Sequence, residues 1–415
     1  MTMGLLILSV FTAAFAMIAK RLTMTVITAP MMFIAFGLLL SKTDLFTHGE
    51  AEEILHLVAE VALVVLLFLD AAQIDLSALR KRHVWPTRML VIGLPLAIAL
   101  GVVAFWVLLP GWSIFAIALL AAILAPTDAA LGQVVVTNSM VPERSRRALT
   151  VESGLNDGLA LPAILLFACF TAEAIDPNET NWAVFGAKQL ILGPVIGIIV
   201  GYVGGRALLI AKKKKLTADT FEGIGAIALA GAAYLGATQI GGNGFIAAFA
   251  GGLVFGNVVK GQCKFVYEFM ESEGQFLTWG AFFLLGLALM PEALHLFNWQ
   301  TLAVVMVSLL VIRPLAIWVS LIGTDASTIT RIFFGWFGPR GLATALFALL
   351  VVPTIDHEYA EPILSLAINT VWISALLHGF TALPGAKLYA AYLKKIGPCA
   401  ETEPIETSAK PLITK

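Results

Sequence analysis

Apolar residues run through this chain in long stretches separated by short polar punctuation. A helix that crosses a bilayer needs about 20 mostly apolar residues. Thirteen stretches fit that template: 4–19, 24–40, 53–70, 89–108, 113–134, 150–172, 189–210, 221–240, 243–259, 275–290, 299–321, 328–352 and 362–385. Only Gly241, Gly242 and Asn243 separate the eighth from the ninth, so fusing those two would give twelve spans. Several spans are rich in Gly, which lets helices approach closely in lipid. The pattern predicts an all-α polytopic membrane protein, with a transmembrane domain over 1–393 and a short cytosolic tail over 394–415. The tail is expected to be a flexible polar end.

Composition removes the main soluble classes. The chain has 415 residues, of which 59% are hydrophobic and 13% charged, and its mean hydropathy is +0.91. A soluble surface needs roughly 25–35% charged residues. A net charge of −1 gives no basic field for nucleic acid. Cys169, Cys263 and Cys399 show neither metal-ligand nor disulfide spacing.

Charge also orients the spans. The first stretch lacks a basic leader, and Lys20-Arg21 follow it, so it is expected to remain as a span with the N-terminus outside. Nineteen of the 26 Lys and Arg then fall in cytosolic loops, and Lys410 and Lys415 add to them in the tail. The outer loops hold only Lys42 and Lys188. This positive-inside bias predicts a multi-pass protein of the cell (inner) membrane with a cytosolic C-terminus. Lys212 to Lys215 are read as a topology anchor rather than a lipid site, and Arg206 is near enough to the cytosolic end to snorkel.

A few charges remain inside spans, where they are costly and mark function. Span 5 contains Pro126-Thr127-Asp128, and span 6 contains Glu152-Ser153-Gly154-Leu155-Asn156-Asp157. Arg313 precedes Pro314 in span 11, and Arg340 lies in Gly338-Pro339-Arg340-Gly341 of span 12. Spans 5 and 6 are antiparallel neighbours, and counting residues puts Asp128 and Asp157 both about 7 Å cytosolic of the midplane. Ser153 and Asp157 share one helix face, as do Glu152 and Asn156. Two carboxylates with Thr127, Ser153 and Asn156 at one depth make an oxygen-lined site suited to a hard cation. Glu152 is expected to pair with Arg313 or Arg340. Asp70 near the cytosolic end of span 3 is expected to be solvated, and Glu60 shows no partner.

Pro126 and Pro339 disturb their helices, and freed carbonyls in mid-membrane are tolerated only along a cavity. Spans 5 and 12 cross in opposite directions. Matched broken helices point to a secondary transporter built from two inverted six-helix repeats, spans 1–6 and 8–13.

Taken in order, Pro126-Thr127-Asp128, Glu152-Ser153 with Asn156-Asp157, Arg313 before a proline and Gly338 to Gly341 resemble the monovalent cation/proton antiporters of the NhaP and sodium/proton-exchanger type. The resemblance covers the whole membrane region. It implies crossing broken helices in spans 5 and 12, a homodimer with a dimerisation domain and a mobile core, and no cofactor. Asp157 would hold the cation or the proton, helped by Ser153 and the Thr127 carbonyl. Asp128 would ligate the cation or shape its site. Glu152 would pair with Arg313, and Arg340 would stabilise broken helix 12. Asn156-Asp157 implies electroneutral exchange of one cation, sodium first and otherwise lithium or potassium, for one proton. Pro339 departs from the family pattern, where many members carry an aliphatic residue.

A sodium-coupled solute symporter is the nearest alternative. A channel lacks a filter resembling TVGYG. No Walker motif marks an ATP site, and against an enzyme His357-Glu358-Tyr359-Ala360-Glu361 ends in Glu where a zinc motif needs His.

Overall fold

A computed structural model describes the chain except residues 1, 23–24, 44, 46–47, 77–82, 173–181, 261 and 403–415. The basic loop Arg80 to Arg82 and tail residues Lys410 and Lys415 lie outside the described residues. Every regular element among the described residues is helical. These are α1 (Thr2–Leu22), α2 (Ala29–Ser41), α3 (His48–Ala72), α4 (Val84–Leu108), α5 (Ile114–Ile123), α6 (Ala129–Val136), α7 (Glu143–Thr171), α8 (Trp182–Lys213), α9 (Asp219–Gln239) and α10 (Gly244–Val259). There follow α11 (Lys264–Leu284, continued through Leu285–Leu289 and Met290–His295), α12 (Trp299–Ser320), α13 (Thr328–Trp336), α14 (Leu342–Val351) and α15 (His357–Ile396).

Each of the thirteen apolar stretches holds a helix or a pair of half-helices. Spans 8 and 9 are two helices, α9 and α10. Gly241 turns the chain at φ +78, and the Asn243 side chain caps α10 by accepting from the Ile246 N–H at 2.9 Å. Spans 5 and 12 are not merely kinked. The first splits into α5 and α6, the second into α13 and α14.

Other prolines leave their helices continuous. The π turns Met89–Gly93, Leu285–Leu289 and Ser308–Ile312 each end two residues before Pro95, Pro291 and Pro314. A proline lacks the N–H that an α turn needs, and a wider turn is one way to relieve that defect without a break.

The helices group into two bodies. α4 to α7 pack with α12 to α15, while α3 packs with α9 and α10, and α8 packs on those two helices in turn. Phe11 and Phe15 of α1 meet Phe33 of α2 edge to face, and α11 packs against α2, α3 and α9. Small residues set the spacing. A Cβ added at Gly252 or Gly256 of α10 would overlap the backbone of α3 at Phe68 or Ala72. The site lies where α3 and α11 face α6, α7 and α14.

Candidate functional site

The gaps after α5 and α13 cross each other. Where the chain leaves α5, the Asp128 N–H donates to the Pro339 carbonyl at 2.9 Å. Asp128 also caps two helices. Its Oδ1 accepts from the Leu131 N–H in α6 (3.2 Å), and its Oδ2 accepts from the Leu342 N–H that opens α14 (2.6 Å). Arg340 serves the opposite ends. Its Nε donates to the Leu124 carbonyl at the end of α5, and its Nη1 donates to the Gly338 carbonyl beyond α13 (2.8 Å). A carboxylate thus meets two helix N-termini and a guanidinium meets two C-terminal ends, as the helix dipoles favour.

α15 supports the crossing from outside. The Arg340 N–H donates to Ser374 Oγ (2.7 Å), and His378 Nε2 lies 2.9 Å from the Trp336 carbonyl at the end of α13.

Beside the crossing, Arg313 of α12 donates to both oxygens of Glu152, at 2.9 and 3.1 Å. Both residues are buried. This fork-to-fork geometry satisfies charges that water cannot reach. Arg340 takes no part in that pair and bonds carbonyls instead. The glycines flanking Arg340 also have a physical reason. A Cβ at Gly338 would occupy the Arg313 guanidinium, and one at Gly341 would overlap the Asp128 carboxylate.

Glu152 continues into a polar network. The Thr127 hydroxyl lies 3.3 Å from Glu152 Oε2 and 3.1 Å from Ser153 Oγ. The Asn156 amide donates to Thr127 Oγ1 (2.6 Å) and to Glu152 Oε1 (3.3 Å). Thr127, Glu152, Ser153 and Asn156 therefore form one cluster, with Asp128 next in the chain to Thr127.

Asp157 lies a turn beyond Ser153 on α7. It faces a cavity of about 350 Å³ between the two bodies, whose walls include Asp70, Asp128, Gln133, Thr150, Gln275 and Thr278. Its Oδ1 is buried and has no hydrogen-bond partner among the described residues. Past Leu342 and Leu346 the contact between α14 and the helices α3 and α11 is lined by apolar side chains such as Val58, Leu285 and Leu349. The cavity is lined by carboxylates from both bodies, and the contact next to it is hydrocarbon.

Two residues differ from their sequence expectation. Asp70 is not a solvated end residue. It lines the same cavity as Asp128 and Asp157, because α3 runs on to Ala72 inside the bundle. Its signal was its position: Leu63, Leu67 and Asp70 fall on one helix face at spacings of four and three. Glu60 has a partner, the Tyr234 hydroxyl of α9, which donates to it. Among the other basic candidates, Lys212 pairs with the buried Glu222, and Arg206 lies over the Tyr202 ring.

Broken helices crossing in mid-bundle beside a carboxylate-lined cavity define a secondary membrane transporter. The family model for the transmembrane sodium/hydrogen exchanger matches residues 7–387, and the chain belongs to that family. Its members are transporters rather than enzymes, and the solute-symporter alternative finds no support in the match. The potassium/proton antiporter NhaP of Alkalimonas amylolytica is 26% identical over 389 residues, covering 91% of this chain and 65% of that protein. The potassium/proton antiporter NhaP2 of Shewanella oneidensis is 27% identical over 344 residues, covering 80% of this chain and 57% of that protein. The chain thus spans less than two thirds of the length of these relatives. The sodium proton antiporter MjNhaP1 of Methanocaldococcus jannaschii shares the fold, with a TM-score of 0.78 at 20% identity, over 94% of this chain and 98% of that one.

Proposed function

We propose that this chain exchanges a monovalent cation for a proton by alternating access, with both ions competing for Asp157. The observation that carries this reading is the buried, unpartnered Asp157 oxygen on the wall of the cavity between the two bodies. A carboxylate in such a place is stabilised by either a proton or a cation, and its empty charged form is costly to move through hydrocarbon. Asp128 on the same side and Asp70 from α3 across the cavity add carboxylate oxygens to its lining. Ser153, Thr127 and Asn156 are hydrogen-bonded to one another behind it, next in the chain or one turn away from Asp128 and Asp157. Glu152 and Arg313 neutralise each other, Arg340 is held by backbone carbonyls, and together they hold the crossing in shape.

Asn156 is neutral and occupied by Thr127 and Glu152, so Asp157 alone changes charge in the Asn-Asp pair. This supports electroneutral exchange of one cation for one proton. The relatives named above bracket the cargo as sodium or potassium. The homodimer, the cell (inner) membrane and an outer N-terminus belong to the same reading.

The test is flux in liposomes. An imposed pH gradient should collapse on addition of the cation and should do so equally with the membrane potential clamped. Sodium, potassium and lithium added in turn identify the cargo. Asp157→Asn should abolish the flux and leave the protein folded. Cation-dependent proton flux that persists in that variant overturns the assignment.

A further inference from the structure

The C-terminal segment after α15 is built into the fold. Gly397, at φ +83, ends α15 in the conformation glycine favours, and Pro398 prevents the helix from resuming. The Thr402 N–H donates to the Cys399 carbonyl (3.0 Å) and closes a turn. Glu401 in that turn is only 2% exposed. Its Oε1 accepts from the Ser327 N–H (2.9 Å) and the Thr330 hydroxyl (2.7 Å) at the N-terminus of α13.

Neighbouring groups complete the contact. Arg144 of α7 lies over the Trp85 ring of α4, 3.8 Å from its centre. It donates to the Ala400 carbonyl (2.8 Å) and pairs with Asp325 (2.7 Å). The Trp85 indole N–H also donates to Asp325 (2.7 Å). The Tyr389 hydroxyl of α15 joins Thr330 and Ser145, each at 2.9 Å. Six residues of tail at the end of α15 therefore bond to α7 and α13, and Trp85 of α4 joins the same contact through Arg144 and Asp325, all within the body that carries Asp128 and Asp157.

We infer that Gly397–Thr402 is a strap and that Glu401 is a positioning residue for the exchange site, acting through α13. That half-helix has nine residues, about 13 Å of rise. A helix this short is marginal by itself, so its position depends on its packing against α12 and α15 and on what holds its two ends. One end forms the crossing at Pro339 and Arg340. The other is held by Glu401, a carboxylate placed where the helix dipole favours one. Releasing the strap frees α13 to shift, and the Asp128 contacts shift with it.

The groups facing Glu401 and its turn are Arg144, Asp325, Tyr389 and Cys399. Burial alone would raise the Glu401 carboxyl, but the hydrogen bonds from Thr330 and Ser327 outweigh it and hold the group below the usual range. Asp325 is likewise raised by burial and lowered further by Arg144 and Trp85, with a net downward shift. The strap is therefore charged and docked at neutral pH.

Cys399, half-buried within the strap, reports its state. The transport part of the test rests on the exchange reading, whereas thiol labelling does not. The full-length protein is labelled with a water-soluble maleimide and the Cys399 peptide is quantified by mass spectrometry. Losing a charged hydrogen-bond partner should raise the open population, and so the labelling rate, about tenfold in Glu401→Ala and in Arg144→Gln. In liposomes the same variants should shift the half-saturating cation concentration, with a smaller change in maximal rate. Glu401→Gln, which keeps an acceptor oxygen, should fall between them and the parent, and it carries the comparison if Glu401→Ala does not fold. Unchanged Cys399 labelling overturns the strap. Faster labelling with unaltered cation dependence overturns the positioning role.

Discussion

Asp128 and Arg340 share out the four helix ends that meet at the crossing, the carboxylate taking the two N-termini and the guanidinium the two C-terminal ends. In the bilayer interior no water is present to satisfy those backbone groups, so this exchange of side chains makes a double break tolerable. It also gives Asp128 a second task besides lining the cavity.

Asp128→Asn keeps one acceptor oxygen but loses the charge and one cap. Each cap contributes about 1–2 kcal/mol, so the melting temperature in detergent should fall while the helical content is retained. Arg340→Gln should lower it further, because two carbonyls then lose a charged donor. Equal melting curves for the parent and both variants would show that the caps contribute little.

Removing one member of the Glu152–Arg313 pair leaves an uncompensated buried charge, a loss of about 3–5 kcal/mol. Glu152→Gln combined with Arg313→Gln should be less damaging than either change alone. Thermal unfolding of the two singles and the double forms a mutant cycle. Strict additivity would deny the coupling.

Gly338→Ala places a methyl group on the Arg313 guanidinium, and Gly341→Ala places one on the Asp128 carboxylate. Overpacking of this kind costs about 1–3 kcal/mol. Gly338→Ala should therefore add little once Arg313 is already Ala. Gly341→Ala should impair exchange more than stability, because it displaces a cavity-wall carboxylate. Liposome flux and melting measured side by side separate the two effects.

Asp325 and Glu401 have carboxyls held below their usual range. Groups depressed in this way stabilise the fold fully above the unfolded carboxyl range, near pH 4, and the contribution is lost as pH falls through the lower folded values. The difference in thermal stability between the parent and Arg144→Gln should be constant from neutrality down to about pH 5 and shrink below it. A difference that instead grows on acidification would contradict the sign.

Much of this was legible in the chain alone. A span must be apolar for some 20 residues wherever it packs, so the thirteen spans and the breaks at Pro126 and Pro339 are local properties. The same rule makes Asp128, Glu152, Asp157, Arg313 and Arg340 conspicuous, since a charge in lipid is exceptional in any fold. Tertiary structure decided what those charges touch. Glu152 and Arg313 are 161 positions apart, and Asp128 and Leu342 are 214. Nothing periodic links them, and two arginines were equally available to Glu152. Asp70 illustrates the limit best. Its place near a helix end suggested solvent, but whether a helix end meets water or a neighbour depends on how the helices pack, and here it meets the cavity. Glu401 is a second such case: a polar tail predicts exposure until the N-terminus of a half-helix lies beside it.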